Sequence, residues 1–183
     1  DGTVIGEGSA LWMLETEAGA KGRGVHPLLE VCGFGAAHDA RSTDAFSLRA
    51  VGATSAIEQA LRAAGIGPLD IACIVSSASG SRAGDGMELR ALGSVFGDRL
   101  GKIPICAPKA AFGEALGASG ALLALTAGIA LQKRTLPPTA GFQVAENELR
   151  LSAQPQPFEG DYALVNCFGC DGNNAALVLK RWM

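Results

Sequence analysis

Polar side chains that could do chemistry are concentrated in two stretches of this sequence. Ser77, Asp85 and Glu88 fall close together in the first, and Lys109 and Glu114 in the second. A serine hydroxyl can donate one hydrogen bond, whereas an ionised glutamate only accepts hydrogen bonds and repels negative charge that develops beside it. Glu114 could therefore act as a donor only if burial kept it protonated.

The five cysteines do not indicate a metal site or a disulfide framework. Cys167 and Cys170 form one C-x-x-C, but there is no second pair, and the only histidines are His26 and His38. Zinc is therefore not favoured, and we expect no cofactor. An odd number of cysteines at irregular spacing argues against structural disulfides and predicts a cytoplasmic protein. We interpret Cys167 and Cys170 as thiols at the end of a strand.

The composition predicts one globular domain and argues against two classes of partner. Of the 183 residues, 48% are hydrophobic but only 5% aromatic, and 25 are glycine. Helices and strands should therefore approach closely in a layered α/β fold. The net charge of -3 offers nothing to attract nucleic acid. Glycine, serine and threonine interrupt the longest apolar run, residues 115–131, which predicts a core helix rather than a membrane span.

An alternation of strand-like and helix-like segments positions the polar residues. A buried strand is predicted from the apolar run at 3–14, and further strands are predicted at 26–34, 71–75 and 103–107. Helices are predicted at 47–64, from Asp85 onward, and along the small-residue run that ends at 131, with a loop at 108–113 before it. Asp44 is a plausible N-cap and Gly65 a helix end.

The order of these segments predicts an α/β sheet. Strands that alternate with helices favour parallel pairing through helical crossovers. Residues 162–167 and 174–180 flank a turn and predict a closing hairpin. Between the long helix and this hairpin, residues 137–159 are rich in Pro, Gln and Glu and predict a surface excursion.

Four separated segments resemble the signature motifs of beta-ketoacyl synthases, in the order in which that family has them. They are residues 1–8 for D-G-F-V-x-G-E-G, 77–88 for H-G-T-x-T and D-x-x-E, 108–121 for T-K-x-x-x-G-H and G-A-A-G-A, and 166–174 for N-S-F-G-F-G-G-H-N. The resemblance covers essentially the whole chain. It implies that the chain is the carboxy-terminal half of a thiolase-like layered α/β fold, with a mixed five-stranded sheet and helices on both faces. Residues 1–183 would form one domain, and an amino-terminal half would lie upstream.

The resemblance also implies a chemistry that two residues here contradict. The family condenses an acyl group held on a cysteine with a malonyl thioester, and two histidines donate to the carbonyl where negative charge develops. Ser77 and Glu114 occupy those two positions. The nucleophilic cysteine belongs to the upstream half and matches none of the five cysteines here. We therefore assign no residue of this chain a catalytic role.

Other site residues match the family in part. Lys109 matches its lysine, and Asp85 and Glu88 match its acidic pair. These residues could be remnants of the active-site electrostatic network. Alternatively, they could form an ion pair and the start of a helix, where Asp85 is favourable in the first turn. Leu123 stands where catalytic members carry the glutamate that pairs with the lysine. We therefore expect Glu114, at a helix entrance, to be the counter-ion of Lys109.

Three residues are candidates for the wall of an acyl tunnel. Phe168 matches the family pattern, Cys170 replaces a phenylalanine that resembles a gate beside the nucleophile, and Phe112 precedes the Gly113 turn. A smaller side chain at position 170 would open space there, although the exchange could equally be a neutral turn variation.

The resemblance leaves several functions open. The favoured one is a non-condensing subunit, similar to chain-length factors, that pairs with an active ketosynthase and an acyl carrier protein in fatty acid or polyketide biosynthesis. A second is an acyltransferase or ketosynthase with an altered site and an upstream cysteine. A third is a thiolase-related enzyme with Cys167 as acid/base thiol, because residues 113–121 and 167–172 resemble thiolase motifs. A purely structural assembly role is the fourth.

Overall fold

A mixed sheet of five strands organises the chain. The structure, a computed structural model, describes residues 2–39, 46–143 and 149–183. The sheet contains β1 (Leu29–His38), β2 (Ile71–Val75), β3 (Ile105–Cys106), β6 (Tyr162–Phe168) and β7 (Asn173–Arg181), in the spatial order β1-β7-β6-β2-β3. A separate antiparallel pair joins β4 (Thr135–Leu136) to β5 (Gln156–Pro157).

Five α-helices accompany the strands of the described residues. They are α1 (Glu17–Gly22), α2 (Val51–Ala64), α3 (Arg82–Phe96), α4 (Lys109–Phe112) and α5 (Ser119–Lys133). Short 3-10 turns lie at Pro68–Asp70, Gly97–Lys102 and Leu116–Ala118. Helix α1 is not predicted from the sequence; the Thr16 hydroxyl caps it by accepting from the backbone N–H of Gly19 at 3.1 Å.

The pairing of the strands confirms the predicted α/β class and the closing hairpin. Strand β2 pairs in parallel with β3 and β6, whereas β7 is antiparallel to both β6 and β1. Helix α3 connects β2 to the parallel β3, as the strand and helix alternation predicts. The carboxyl ends of β2, β3 and β6 therefore meet at one edge of the sheet.

Apolar side chains cover both faces of the sheet. Ile57, Met87 and Ile74 belong to a core between the sheet and helices α2 and α3. Leu123 and Leu131 of α5 belong to a second core on the other face. Each such buried side chain contributes about 1.5–3 kcal/mol through removal from water, and the predicted arrangement of helices on both faces is confirmed.

Helix α5 explains the most apolar run of the sequence. Within the described residues, Leu116–Lys133 is the one segment long and apolar enough to cross a membrane. Its buried residues Leu123, Ala127 and Leu131 pack against the sheet, as the interpretation as a core helix predicts.

Several local predictions need correction. Residues 2–14 do not form a buried strand: among the described residues their only β contact is a bridge from Ile5 to Glu114, and most of their apolar side chains are exposed. A strand needs a neighbouring strand for its backbone hydrogen bonds, and the described part of the chain provides none there. Asp44, the predicted N-cap, lies outside the described residues, and α2 begins after Ala50 without a side-chain cap.

Other segments differ only in their bounds. The strand predicted at 103–107 is reduced to β3, and the loop predicted at 108–113 contains the single turn of α4. Helix α3 begins at Arg82, with Ser81 as its N-cap, rather than at Asp85. The excursion at 137–159 follows β4 and contains β5, and it buries Thr139 and Phe158.

Candidate functional site

The candidate site forms where the carboxyl ends of the parallel strands meet. Ser77 follows β2, Lys109 follows β3, and Phe168 ends β6. Ligand sites of α/β sheets are found at such carboxyl ends because the loops that leave them converge. The structure therefore brings together residues that the sequence places far apart.

Ser77 is held at the centre of this edge. Its Oγ accepts a hydrogen bond from the backbone N–H of Phe168 at 2.9 Å and a long one from Lys109 Nζ at 3.5 Å. Its own backbone N–H donates to Glu88 Oε1 at 3.0 Å. The side chain is buried, so its position is determined by these contacts.

Glu114 forms the predicted ion pair with Lys109. Glu114 Oε2 lies 2.7 Å from Lys109 Nζ, and the two side chains are 17% and 3% exposed. Glu114 Oε1 accepts from the Ser119 hydroxyl at 2.5 Å and from the backbone N–H of Leu116 at 3.0 Å. Both carboxylate oxygens are therefore engaged, and the expected counter-ion of Lys109 is confirmed.

The charge state of Glu114 follows from the balance of two effects. Burial alone would raise the pKa of its carboxyl group, because a buried charge loses its hydration. The hydrogen bonds from Lys109 and Ser119, the positive charge of Lys109 and the Leu116 N–H outweigh burial and hold the pKa below the ordinary value of 4.5. Glu114 is thus ionised at neutral pH and acts as an acceptor, not a donor.

The backbone at Glu114 is anchored by the first residues of the chain. The N–H of Glu114 donates to the carbonyl of Val4 at 2.8 Å, and the N–H of Gly6 donates to the carbonyl of Glu114 at 3.0 Å. A Cβ atom at Gly6 would lie 1.9 Å from the carbonyl oxygen of Phe112. Only glycine permits this approach, which gives Gly6 a physical role within the motif at residues 1–8.

Glu88 is the buried centre of a second network. Its carboxylate accepts from Ser76 Oγ at 2.8 Å, from the Ser77 N–H, and from Asn166 Nδ2 at 2.8 Å. Burial raises the pKa of Glu88, and these three hydrogen bonds oppose the rise. The network ties the end of β2 to β6, which supports the interpretation of Glu88 as part of an electrostatic network.

Asp85 has a more local role. Its carboxylate accepts from the backbone N–H groups of Ser79 and Gly80 at 3.0 and 3.1 Å. Burial raises the pKa of Asp85, against these two hydrogen bonds and the charge of Lys109. Asp85 lies in the first turn of α3, as the helix-start interpretation predicts.

Leu123 contributes no charge to the site. It is fully buried in the core under α5. A glutamate in this apolar core would need a partner to offset its desolvation, whereas leucine stabilises the core by burial alone. Its presence leaves Lys109 to pair with Glu114.

An open cavity of about 970 Å3 lies beside the ion pair. Glu114, Leu116, Phe168 and Cys170 are among the residues that line it. Phe112 is not among its lining residues and instead packs against the core under α5. Two of the three tunnel candidates thus share one cavity, and the third lies apart from it.

The thiols have the positions expected at a strand end. Cys167, in β6, is partly buried and lines the cavity, while Cys170 in the following turn is exposed. Burial raises the pKa of Cys167, with Lys109 partly opposing it, which weakens the case for an acid/base thiol. In the described ranges no group of three or more His, Cys, Asp or Glu side chains could hold a metal ion.

Sequence reasoning missed three residues of the site. Ser119 donates to Glu114, and Ser76 and Asn166 bind Glu88. Ser119 could have been found from its place at the start of the long helix, five residues after Glu114. Asn166 begins the motif at 166–174, but no local signal predicts its contact with Glu88, which spans 78 residues of sequence.

The comparisons with known proteins agree on one family. The family model for the beta-ketoacyl synthase C-terminal domain matches residues 28–143. The 3-oxoacyl-[acyl-carrier-protein] synthase 2 of Rhizobium meliloti is 34% identical over the whole chain, and that of Mycobacterium tuberculosis is 35% identical. The chain spans 44% of the length of each of these two relatives.

Solved structures show the same fold. The structure of the ishigamide ketosynthase/chain length factor matches all of this chain and 45% of the matched chain's length, with a TM-score of 0.91 and 29% identity. A ketosynthase in complex with its chain length factor from Xenorhabdus doucetiae matches 85% of this chain and 40% of its own, with a TM-score of 0.75 and 30% identity. The predicted thiolase-like fold is confirmed.

Proposed function

The chain belongs to the beta-ketoacyl synthase family, whose C-terminal domain it contains, and on that basis we propose that it is half of a ketosynthase-like subunit without condensing activity. This subunit pairs with an active ketosynthase and shapes the tunnel for the growing acyl chain. Its partners are an upstream half that completes the fold and an acyl carrier protein. The pathway is fatty acid or polyketide biosynthesis.

The ionised state of Glu114 carries this proposal. Decarboxylation of a malonyl thioester builds negative charge on the thioester carbonyl, and catalysis requires donors aimed at that charge. Glu114 presents a carboxylate whose two oxygens already accept three hydrogen bonds. Ser77, at the other histidine position, has a short side chain and accepts from the Phe168 N–H. Glu114 therefore supplies no donor, and the Ser77 hydroxyl is shorter than an imidazole and does not reach the same point.

The cavity and the comparisons support the tunnel and the pairing. Phe168 and Cys170 line the cavity beside Glu114, and a small side chain at position 170 leaves room for an acyl chain. Two of the matching structures are of a ketosynthase together with a chain length factor. The chain also spans under half the length of its relatives, which is consistent with an upstream half.

Malonyl decarboxylation by the full-length protein tests the proposal. We expect a rate at background when no other ketosynthase is present, because loss of one oxyanion donor already lowers rates about 100- to 1000-fold. The double variant Ser77→His with Glu114→His, made where an upstream cysteine exists, tests whether the scaffold is still poised for catalysis. Clear decarboxylation by the unmodified protein alone would contradict the proposal.

Co-purification tests the pairing. We expect a tagged full-length protein to isolate a catalytically intact ketosynthase, and the pair to elongate an acyl chain on an acyl carrier protein. A protein that isolates only itself and elongates unaided would show that the subunit interpretation is wrong.

One observation favours a second function, an acyltransferase or ketosynthase with an altered site. Both hydrogen bonds that the described residues make with Ser77 Oγ are accepted ones, so its hydroxyl proton remains able to donate. Mass measurement of the full-length protein after incubation with an acyl-loaded carrier protein separates the two functions. A stable acyl adduct on an upstream cysteine would favour the enzyme.

A further inference from the structure

Glu114 fills a cradle of donors that the rest of the chain builds. We infer that Lys109, Ser119 and the backbone N–H of Leu116 form a carboxylate-binding site, which Glu114 occupies from within the chain. The ligands that suit this site are small monocarboxylates such as formate and acetate. In the unmodified protein Glu114 keeps the site closed to the carboxylate of any ligand that enters the cavity.

The contacts have the form of a bound carboxylate. Lys109 Nζ lies 2.7 Å from one oxygen of Glu114, and the Ser119 hydroxyl and Leu116 N–H lie 2.5 and 3.0 Å from the other. Charge-assisted hydrogen bonds of this length are the stronger class in proteins. One cation and two neutral donors thus enclose a single carboxylate group.

Ser119 is held in place by contacts that do not involve Glu114. The Ser119 hydroxyl accepts from the backbone N–H of Ala115 at 3.0 Å, which leaves its proton directed at the carboxylate. Ser119 is also the first residue of the 15-residue helix α5, whose amino-terminal end favours an anion. Removal of the Glu114 side chain should therefore leave the Ser119 hydroxyl in its present position.

Lys109 has no ready substitute for Glu114. Its side chain is 3% exposed, and its other contact is the long one to Ser77 Oγ at 3.5 Å. The carboxylate of Glu88 is already bound by three donors, and that of Asp85 by two backbone N–H groups. Among the described residues, Asp85 interacts with Lys109 through its charge but without a direct hydrogen bond. Loss of Glu114 would leave this buried ammonium without a bonded counter-ion, which is strongly unfavourable, and an external carboxylate would replace it.

The cavity provides a route to the cradle. Glu114 and Leu116 both line the open cavity of about 970 Å3, and the Glu114 side chain is itself partly exposed. Shortening this side chain to a methyl group would connect Lys109 to that cavity. A ligand of one or two carbon atoms matches the volume removed.

The test uses the full-length variant Glu114→Ala and its thermal unfolding midpoint. We expect sodium formate and acetate to raise the midpoint in a saturable way, because a ligand that binds only the folded state stabilises it. Formamide, which has the same shape without the charge, and sodium chloride at equal ionic strength should not raise it. The unmodified protein and Glu114→Gln, whose amide still fills the cradle, should not respond to formate.

Two further variants examine the donors. In Glu114→Ala with Ser119→Ala, formate should bind at least about tenfold more weakly, the loss expected for one charge-assisted hydrogen bond. In Glu114→Ala with Lys109→Met, the response to formate should disappear. An equal response of Glu114→Ala to formate and chloride, or one that persists with Lys109→Met, would overturn the inference.

A variant that fails to fold without ligand still gives an answer. Glu114→Ala would then be refolded from denaturant in formate and, in parallel, in formamide. We expect a higher recovery of folded protein in formate, and equal recovery in the two solutions would overturn the inference. No step of this test depends on whether the protein condenses acyl chains, so its failure is distinct from failure of the proposed function.

Discussion

At the scale of single residues, the carboxylate that pairs with the buried Lys109 belongs to Glu114. From the motif resemblance, we propose that Leu123 replaces the glutamate that pairs with the lysine and that Glu114 replaces a histidine. If so, these two exchanges depend on one another, because a buried lysine needs a counter-ion and an apolar core position disfavours a charge. Reversal of only one exchange would leave Lys109 without its counter-ion or would add a second carboxylate to the core.

Glu114→Gln should therefore destabilise the folded protein. The variant removes the counter-ion of a lysine that is 3% exposed, and we expect the free energy of unfolding to fall by about 2–3 kcal/mol. This is below the roughly 3–5 kcal/mol of fully buried pairs, since Glu114 is partly exposed. Denaturant unfolding of the full-length protein measures the change.

A matched control lies on the surface. Glu17 and Lys21 form an i,i+4 pair whose side chains are mostly exposed, and water screens such pairs almost completely. Glu17→Gln should leave the free energy of unfolding unchanged within error. Equal losses for Glu17→Gln and Glu114→Gln would contradict the structural role of the inner pair.

The stabilisation by Glu114 should also depend on pH. The pKa of Glu114 is lower in the folded protein than its ordinary value of 4.5, so the unfolded chain takes up the proton first as the pH falls. Its contribution is fully present above about pH 4.5 and is lost as the pH falls through the folded pKa. The free energies of unfolding of the unmodified protein and of Glu114→Gln should therefore differ above about pH 4.5. The difference should disappear once the pH is below the pKa of Glu114 in the folded protein. A difference that does not vary with pH would contradict this assignment.

At the scale of secondary-structure elements, glycines in β1 allow α2 to lie directly on the sheet backbone. A Cβ atom at Gly33 would lie 2.1 Å from the carbonyl oxygen of Ala60, and one at Gly35 would lie 2.0 Å from that of Ala56. Side-chain movement cannot relieve a contact between backbone atoms. The abundance of small residues therefore serves close packing between this strand and this helix.

Gly35→Ala should separate α2 from β1. We expect the free energy of unfolding to fall by about 3 kcal/mol, the upper part of the range for overpacked cores. Gly93→Ala is the matched control, because a Cβ at this exposed position of α3 meets nothing within 4 Å. That control should stabilise the protein by about 0.5–1 kcal/mol. Thermal unfolding compares the two variants, and a tolerated Gly35→Ala would contradict the close packing.

At the scale of the whole molecule, residues 2–14 present apolar side chains without cover from the described part of the chain. Leu11 and Met13 are 99% and 87% exposed, and Val4, Ile5 and Leu14 are also largely exposed. Large exposed apolar patches are rare on monomers and mark contact surfaces. We propose that the upstream half and the partner subunit cover it.

Residues 1–183 expressed alone should therefore expose apolar surface and associate with one another. We expect the isolated fragment to self-associate and to bind a hydrophobic dye, whereas the full-length protein with its partner does neither. Light scattering and dye fluorescence measure both properties. A monodisperse, cooperatively folding monomer of the fragment would contradict the idea that the chain needs cover.

The sequence alone determined the elements whose signals are local. Apolar periodicity located β2, α2 and the β6–β7 hairpin, and the motif residues predicted the sheet class and the pairing of Lys109 with Glu114 across five positions. These signals suffice because helix periodicity, strand runs and short spacings involve neighbours along the chain.

Only the tertiary structure decided the remaining geometry. The contact of Ser77 with Phe168 spans 91 residues and that of Glu88 with Asn166 spans 78, so both depend on β2 lying beside β6 in the sheet. The failure of residues 2–14 to form a strand has the same origin. An apolar run becomes a strand only beside a partner strand, and strand order is set by burial across the whole fold.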